Sequence, residues 1–244
     1  MNRMVAVSAI CAFLSTVAWA GTLLDNFDAY DGNVDDGKMG NWRRIENGAI
    51  AANNKWFVND GILVVESENS TPSAIIFDDG NSLTWRNYEY QIDFKIERII
   101  PGVRPSVFGI GGRADDNRPG ANGATLYHWT RIFKPWNQFV CDFSVEGKFF
   151  VRGDGDFPLD MEAWYTARFV VEENQFTAFF NDEQICNFED NGMPEEGSVF
   201  LFASNVEAHF NNLRVTGDDI PNPGTSVDPK AKLATTWGEI KNRQ

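Results

Sequence analysis

The segment YEYQIDFKI at residues 88–96 alternates apolar and polar side chains. In an extended chain successive side chains point to opposite faces, so the two kinds of residue separate onto two faces. The apolar set is Tyr90, Ile92, Phe94 and Ile96, and the polar set is Glu89, Gln91, Asp93 and Lys95. The pattern predicts a β-strand with one face in a core and the other in water.

The same two-residue period continues from Gly21 to about Thr216. Gly, Asn, Asp or Pro interrupts it at intervals of roughly 8–12 residues, which is typical of β-sandwiches and barrels. About fourteen short strands in one domain suit two large stacked sheets that share a core. We therefore predict an all-β fold, a two-sheet antiparallel jelly-roll sandwich.

Composition and charge narrow the function classes. Of the 244 residues, 43% are hydrophobic and 14% are aromatic, as expected for a folded globular domain. The formal net charge of −14 would repel a polyphosphate backbone and an anionic lipid surface. We therefore expect no nucleic-acid partner, and neutral or cationic partners remain.

The first 20 residues have the features of a signal peptide: a short basic start at Arg3, an apolar run over residues 4–14, and Ala18-Trp-Ala20 as a cleavage site. No other apolar run approaches the roughly 20 residues that span a bilayer. We predict a signal peptide at 1–20, a secreted domain at 21–217 and no membrane span.

Residues 218–244 are predicted to form a linker and a short tail. Leu233, Trp237 and Ile240 are spaced i, i+4 and i+7, which places them on one side of a short helix. Such a helix needs a surface, either on its own sandwich or on a partner in the export or cell-surface machinery. A frayed end with no role is the alternative.

After the predicted cleavage two cysteines remain, Cys141 and Cys186, each in an apolar segment. An oxidising compartment would allow them to form a disulfide. The alternative is that both remain free thiols that pack in the core. With two histidines in the whole chain, a zinc site or a Cys-His nucleophile has almost nothing to be built from. We expect no cofactor, with a structural calcium ion left open.

The strand at residues 106–113 suggests a ligand-binding surface. If Phe108 and Ile110 point inward, Gly109 and Gly111 leave a patch without side chains on the opposite face. Beside it we expect an aromatic platform and charged groups that would suit a sugar ring. The candidate ligand-binding residues are Arg113, Tyr127, Trp129, Arg131 and Trp136. The alternatives are that the glycines mark a bend and that the aromatic rings fill the core.

The C-terminal half carries a family resemblance. Ala163-Trp-Tyr165 opens a strand, residues 176–185 form a hairpin around Asn181-Asp182, and residues 197–203 lead to a closing strand at 208–215. These segments resemble the concanavalin A-like lectin/glucanase superfamily. The closing strand is similar to that of laminin-G-like and 3-keto-disaccharide hydrolase-like domains, with Asn211 in place of the usual acid. The resemblance implies that the first and last strands pair.

A glucanase of the related family would be expected to carry a Glu-x-Asp-x-x-Glu strand, which this sequence lacks. Glu89 and Asp93 are the nearest candidates for catalytic carboxylates, and we expect them to share a face with Arg113. Their four-residue spacing separates them by roughly 13 Å along a strand, too far for the pair of a retaining glycosidase. The alternative is that they are solvated surface groups.

The resemblance also implies a structural calcium ion near the terminal strands. Asp25 and Asp28 are weak candidates to bind it, because calcium takes oxygen ligands from acidic loops. Ordinary turn chemistry of Asp is the alternative. Together these observations favour a secreted carbohydrate-binding, lectin-like protein whose partner is a glycan or polysaccharide. A 3-keto-disaccharide or glycoside hydrolase-like enzyme is the second hypothesis, and a cell-surface assembly or adhesion module the third.

Overall fold

The computed structural model describes residues 20–30, 32–33, 39–44, 54–68, 73–101, 106–115, 126–134, 137–145, 148–191 and 194–221. The predicted signal peptide and the tail helix lie outside these residues, except for Ala20. Within the described part the chain forms sixteen β-strands and one short 3-10 turn, Ser82–Thr84. Among these residues there is no helix with the length and apolar character needed to cross a membrane.

Nine strands form the first antiparallel sheet. They are β1 (Gly21–Asp25), β2 (Gly32–Asn33), β4 (Asn54–Asn59), β5 (Ile62–Ser67), β7 (Tyr88–Ile99), β12 (Tyr165–Glu172), β13 (Gln175–Phe180), β14 (Glu183–Glu189) and β16 (Val206–Gly217). Their order is β14-β13-β12-β7-β16-β5-β4-β2, and β1 pairs with β16.

The other seven strands form the second antiparallel sheet. They are β3 (Trp42–Arg44), β6 (Ser73–Phe77), β8 (Ser106–Asp115), β9 (Leu126–Lys134), β10 (Gln138–Val145), β11 (Lys148–Asp156) and β15 (Ser198–Ser204). Their order is β11-β10-β9-β8-β15-β6-β3. The two stacked sheets confirm the predicted all-β sandwich.

The core lies between the sheets and is rich in aromatic rings. On β7 the predicted apolar set, from Tyr90 to Ile96, is at most 1% exposed. The Phe94 ring meets the Phe108 ring of the opposite sheet at a centroid distance of 4.5 Å, and Phe108 meets Phe210 at 5.7 Å. Large rings from both sheets therefore interdigitate, and their burial supplies most of the driving force for stacking the sheets.

The chain closes where the family resemblance implied. Strand β1 pairs with the second half of β16, from Gly21 opposite Gly217 to Asp25 opposite Leu213. The hairpin of β13 and β14 turns at Asn181 and Asp182, with φ of 46° and 66°. Two successive positive φ angles are typical of a tight two-residue hairpin turn, and Asn and Asp tolerate them best after glycine.

Cys141 of β10 and Cys186 of β14 are joined by a disulfide, with their Cα atoms 6.6 Å apart. The two strands belong to different sheets. The bond therefore fastens one sheet to the other near the edges at which β11 and β14 lie.

Candidate functional site

The outer face of the seven-stranded sheet carries the predicted glycine pair. Phe108 and Ile110 point into the core and are 1% and 0% exposed, so Gly109 and Gly111 lie on the opposite face. The register pairs Gly109 with Arg131 and Gly111 with Trp129. The side chains of Tyr127 and Trp129, and Trp136 as a whole, lie outside the described residues.

An ion pair between Arg131 and Asp142 stands on this outer face. Thr130 and Cys141 point inward and approach each other at 3.5 Å, so their neighbours Arg131 and Asp142 point outward. A guanidinium Nη of Arg131 donates to a carboxylate oxygen of Asp142. The Asp142 side chain is fully buried and that of Arg131 is 16% exposed, so the charges interact with little screening by water.

Asp142 was missed by the sequence analysis. A signal for it exists, because Asp142 is the one charged residue of the apolar strand β10. Asp142 lies between Cys141 and Phe143 in the sequence, so its side chain points to the face opposite theirs. The register pairs Asp142 with Trp129 of β9. A carboxylate at such a position must be paired, since an isolated buried charge is too costly to keep.

The described residues of β8 beside this pair are buried. All residues described from Ser106 to Ala114 are buried, and Val107 packs in a second apolar cluster with Ile76, Phe200 and Phe202. The prediction of a flat, open patch at the glycines is therefore wrong. The structure instead holds a buried ion pair on the sheet that carries this apolar cluster.

Arg113 does not line this face. A bulge follows Gly112, and Arg113 adopts a φ of 50°, which turns its side chain to one end of the sandwich. There the guanidinium donates to the carbonyl oxygens of Arg86, Glu173 and Pro194. It lies over the Phe176 ring, 5.2 Å from the centroid, and burial lowers the pKa of Arg113.

A cavity of about 410 Å³ opens beside Arg113 at this end of the sandwich. Its lining is polar and charged. The residues are Arg86, Asn87, Arg113, Glu173, Asn174, Asp190, Asn191 and Glu195. Most of them lie in the connections between the two sheets, before β7 and after β14, and Glu173 and Asn174 lie in the turn between β12 and β13. This cavity is therefore distinct from the Arg131–Asp142 pair.

Glu89 and Asp93 lie on the outer face of the nine-stranded sheet, on the opposite side of the sandwich from Gly109 and Gly111. The expectation that they share a face with Arg113 is wrong, because β7 and β8 belong to different sheets. Asp93 accepts hydrogen bonds from Thr166 and Asn212, one at each carboxylate oxygen, both at 2.8 Å.

Glu89 forms an ion pair with Arg168 at 3.1 Å, and the Arg168 guanidinium stacks on the Phe179 ring, 3.6 Å from its centroid. Both predicted catalytic carboxylates are therefore engaged in contacts within the sheet. Four residues along one strand also separate them by roughly 13 Å, beyond the spacing of a glycosidase carboxylate pair.

Asp25 and Asp28, the candidates for a calcium site, both accept hydrogen bonds from protein donors. The carboxylate of Asp25 accepts from the Phe27 amide, the Tyr30 hydroxyl and the Trp42 indole at 2.9–3.1 Å. Asp28 accepts from the Asn26 side chain. Burial and the neighbouring Asp25 raise the pKa of Tyr30, so its hydroxyl remains a donor. Within the described ranges, no three His, Cys, Asp or Glu side chains are grouped to hold a metal ion.

Comparison with known proteins gives a family and a fold. Residues 27–216 match the model of the 3-keto-alpha-glucoside-1,2-lyase-like domain. No curated protein sequence matches the chain. Many solved structures resemble the chain in fold.

Three solved structures illustrate the likeness. A carbohydrate binding module, CBM66 of Bacillus subtilis, superposes with a TM-score of 0.56 at 15% identity, covering 73% of this chain and 97% of that one. A Bacillus licheniformis beta-glucanase gives 0.52 at 14%, covering 80% and 97%. A putative glycosyl hydrolase of Parabacteroides distasonis gives 0.52 at 13%, covering 76% and 94%. At such identities the likeness shows the fold alone.

Proposed function

Since the chain belongs to the 3-keto-alpha-glucoside-1,2-lyase-like domain family, we propose that it binds a glycan at the outer face of its seven-stranded sheet. The observation that carries the proposal is the ion pair of Arg131 and Asp142 beside Gly109 and Gly111. The proposed ligand is a neutral sugar unit of a polysaccharide.

A buried ion pair is a costly way to stabilise a sheet. Desolvation of two charges often outweighs their attraction, and apolar residues of similar size would do as well or better. Val107 and Phe200 show that apolar side chains pack readily on this sheet. The pair is therefore better explained by recognition, in which Asp142 holds the guanidinium of Arg131 in a fixed orientation.

A guanidinium such as that of Arg131 is of the chemical type that donates to sugar hydroxyls. A guanidinium has five N–H groups in a rigid plane. Trp129, opposite Gly111 in the register, is the proposed stacking partner for the apolar face of a sugar ring.

The test is glycan binding by matched arginine variants. Purified domain is screened against a glycan array, and the affinity for the best ligand is measured by calorimetry. We expect Arg131→Met to raise the dissociation constant at least about tenfold, because charged hydrogen bonds to the sugar are lost. Arg168→Met is the control, because Arg168 also pairs with a carboxylate but lies on the other sheet. It should leave the dissociation constant unchanged. Binding that is equal in all three proteins would refute the proposal.

Cleavage of a 3-keto-glucoside is the second candidate function. It is favoured by the lyase-like family together with the fully buried carboxylate of Asp142. In an elimination of this kind a base removes the C2 proton, which the C3 ketone makes acidic. The C1–oxygen bond breaks, the aglycone leaves with the electron pair, and a C1–C2 double bond forms. Asp142 is the proposed base.

A product assay separates the two functions. The domain is incubated with a 3-keto-α-glucoside and with the unoxidised α-glucoside, and released aglycone is measured. Release that Asp142→Asn abolishes, while glycan affinity persists, would establish the enzyme. Release that continues in Asp142→Asn would exclude that role.

We also propose that the domain is secreted. The disulfide of Cys141 and Cys186 fits an oxidising compartment, and residues 1–20 have the features of a signal peptide. Intact-mass analysis of the exported protein should give a chain that begins at Gly21. A mass that retains residues 1–20 would refute processing at this site.

A further inference from the structure

The cavity beside Arg113 is a second site at which a charged side chain is buried. Arg113 is 3% exposed, and its Nε has no hydrogen-bond partner among the described residues. Its side chain donates to three backbone carbonyls but forms no ion pair with a carboxylate in the described residues. Three carbonyl oxygens therefore compensate the guanidinium, and Nε is the buried donor that they leave without an acceptor.

The backbone is strained to place Arg113 there. A φ of 50° is uncommon for a residue with a Cβ atom. The Arg113 amide donates to the Tyr88 hydroxyl at 2.6 Å, and Gly197 approaches the Arg113 backbone so closely that a Cβ on it would lie 2.4 Å from the carbonyl carbon. Strain of this kind is often concentrated at functional sites.

The chemistry of the lining selects the class of ligand. Both arginines are already compensated, Arg113 by carbonyl oxygens and Arg86 by Glu195 and Glu196, each at 3.5 Å. An anion would therefore find little free positive charge, and a metal cation would face Arg113. Carboxylates, guanidinium groups and amides supply acceptors and donors side by side, as the hydroxyls of a neutral sugar require.

We propose that this cavity binds a neutral sugar unit, as a second carbohydrate site at the end of the sandwich. Its volume of about 410 Å³ lies near the lower end of the range for ligand pockets, roughly 300–1,000 Å³, and suits one or two rings. The site shares no lining residue with the Arg131–Asp142 pair and stands independently of it.

Nuclear magnetic resonance gives the first test. Methyl α-D-glucopyranoside, methyl β-D-galactopyranoside and methyl β-D-xylopyranoside are titrated in turn into isotope-labelled protein, with sulfate and calcium ions as comparison ligands. We expect saturable shifts of the side-chain amides of Asn87, Asn174 and Asn191 with at least one of the glycosides. Shifts caused by sulfate or calcium alone, or none at these amides, would overturn the proposal.

Two neighbouring glutamates provide matched variants. Glu195 lines the cavity and Glu196 does not, yet both are exposed and both contact Arg86 at 3.5 Å. We expect Glu195→Gln to weaken glycoside binding about tenfold and Glu196→Gln to leave it unchanged. Equal effects of the two variants would show that only the charge around Arg86 matters, which overturns the site.

Two further variants separate this site from the proposed function. Asn191→Trp, at an exposed position, should fill the cavity and abolish the shifts at Asn87 and Asn174. Arg131→Met should leave those shifts intact even if it removes glycan binding at the sheet face. Loss of the cavity shifts in Arg131→Met would contradict two independent sites.

Discussion

Cys141 and Cys186 are 45 residues apart in sequence, and their disulfide joins the seven-stranded sheet to the nine-stranded sheet. Backbone hydrogen bonds hold each sheet together internally, whereas side-chain packing holds the two sheets to each other. This bond is a covalent link between the layers, and it lies close to the edge strands β11 and β14.

We expect the double variant Cys141→Ala/Cys186→Ala to lose about 2–4 kcal/mol of unfolding free energy, because the unfolded chain regains the freedom of a long loop. Urea denaturation measures it. As a control, dithiothreitol should lower the stability of the wild type and leave that of the double variant unchanged. Equal stability of the two oxidised proteins would contradict the expectation.

Asp93→Ala should cost about 1–3 kcal/mol of stability, because Thr166 and Asn212 lose their shared acceptor. Glu89→Ala is the matched control on the same strand face. It removes a surface ion pair with Arg168 and should cost less than about 1 kcal/mol. Thermal unfolding and glycan affinity are measured together. Loss of affinity without loss of stability in Asp93→Ala would reinstate it as a site residue.

Gly197→Ala should destabilise the domain by more than about 2 kcal/mol. Gly197 has a φ of 151°, and its added Cβ would meet the Arg113 backbone at 2.4 Å, so strain and overlap combine. Gly80→Ala is the control, because Gly80 also has a positive φ but no atom of the described part of the chain lies within 4 Å of the added Cβ. It should cost only about 1 kcal/mol. A similar loss in both would show that overlap with Arg113 contributes nothing.

Asp25→Ala should cost about 2–4 kcal/mol, since the Phe27 amide, the Tyr30 hydroxyl and the Trp42 indole lose one acceptor group. Asp25→Asn keeps one acceptor oxygen and should lose less. Because donors surround this carboxylate, we expect calcium or a chelator to leave the wild-type melting temperature unchanged. A calcium-dependent rise that Asp25→Asn removes would support the calcium site instead.

Glu97 should make stability depend on acid pH. Its hydrogen bond with Lys95, at 2.6 Å, and the nearby His209 lower the pKa of Glu97. A lowered folded-state pKa adds stability above the unfolded-state value, and that stability is lost as the pH falls through the folded-state pKa.

The measurement is the urea midpoint of wild type and Glu97→Gln at a series of pH values. We expect the wild type to be the more stable near pH 7 and the two curves to converge below about pH 4. Lys95→Met should show a weaker dependence because it removes the main cause of the shift. Parallel curves at all pH values would exclude a contribution from Glu97.

Local periodicity was sufficient to predict most of the fold. The strands predicted from the two-residue period, about fourteen, are present, because alternation over four or more residues carries a clear signal. The two strands that were not predicted are Gly32–Asn33 and Trp42–Arg44. Two or three residues are too few to show a period, and these strands exist only because long neighbours offer them hydrogen bonds.

The site was harder to predict because it depends on which strands become neighbours. Inward and outward faces along β8 followed from Phe108 and Ile110, but the bulge that redirects Arg113 has no periodic signal. Glu89 and Arg113 were assigned to one face because sequence does not say which strand joins which sheet. Asp142 could have been found from its lone charge in an apolar strand.

The pairing of β1 with β16 bears on how this domain can be joined to other chains. Gly21 lies opposite Gly217, so the segments before and after the sandwich leave it side by side. A unit whose two ends emerge together can be placed within a loop of a host protein without being stretched. The same closeness allows a circular permutant to be made. A short engineered linker would join residues 21 and 217, and the new ends would lie at the exposed turn of Asn181 and Asp182.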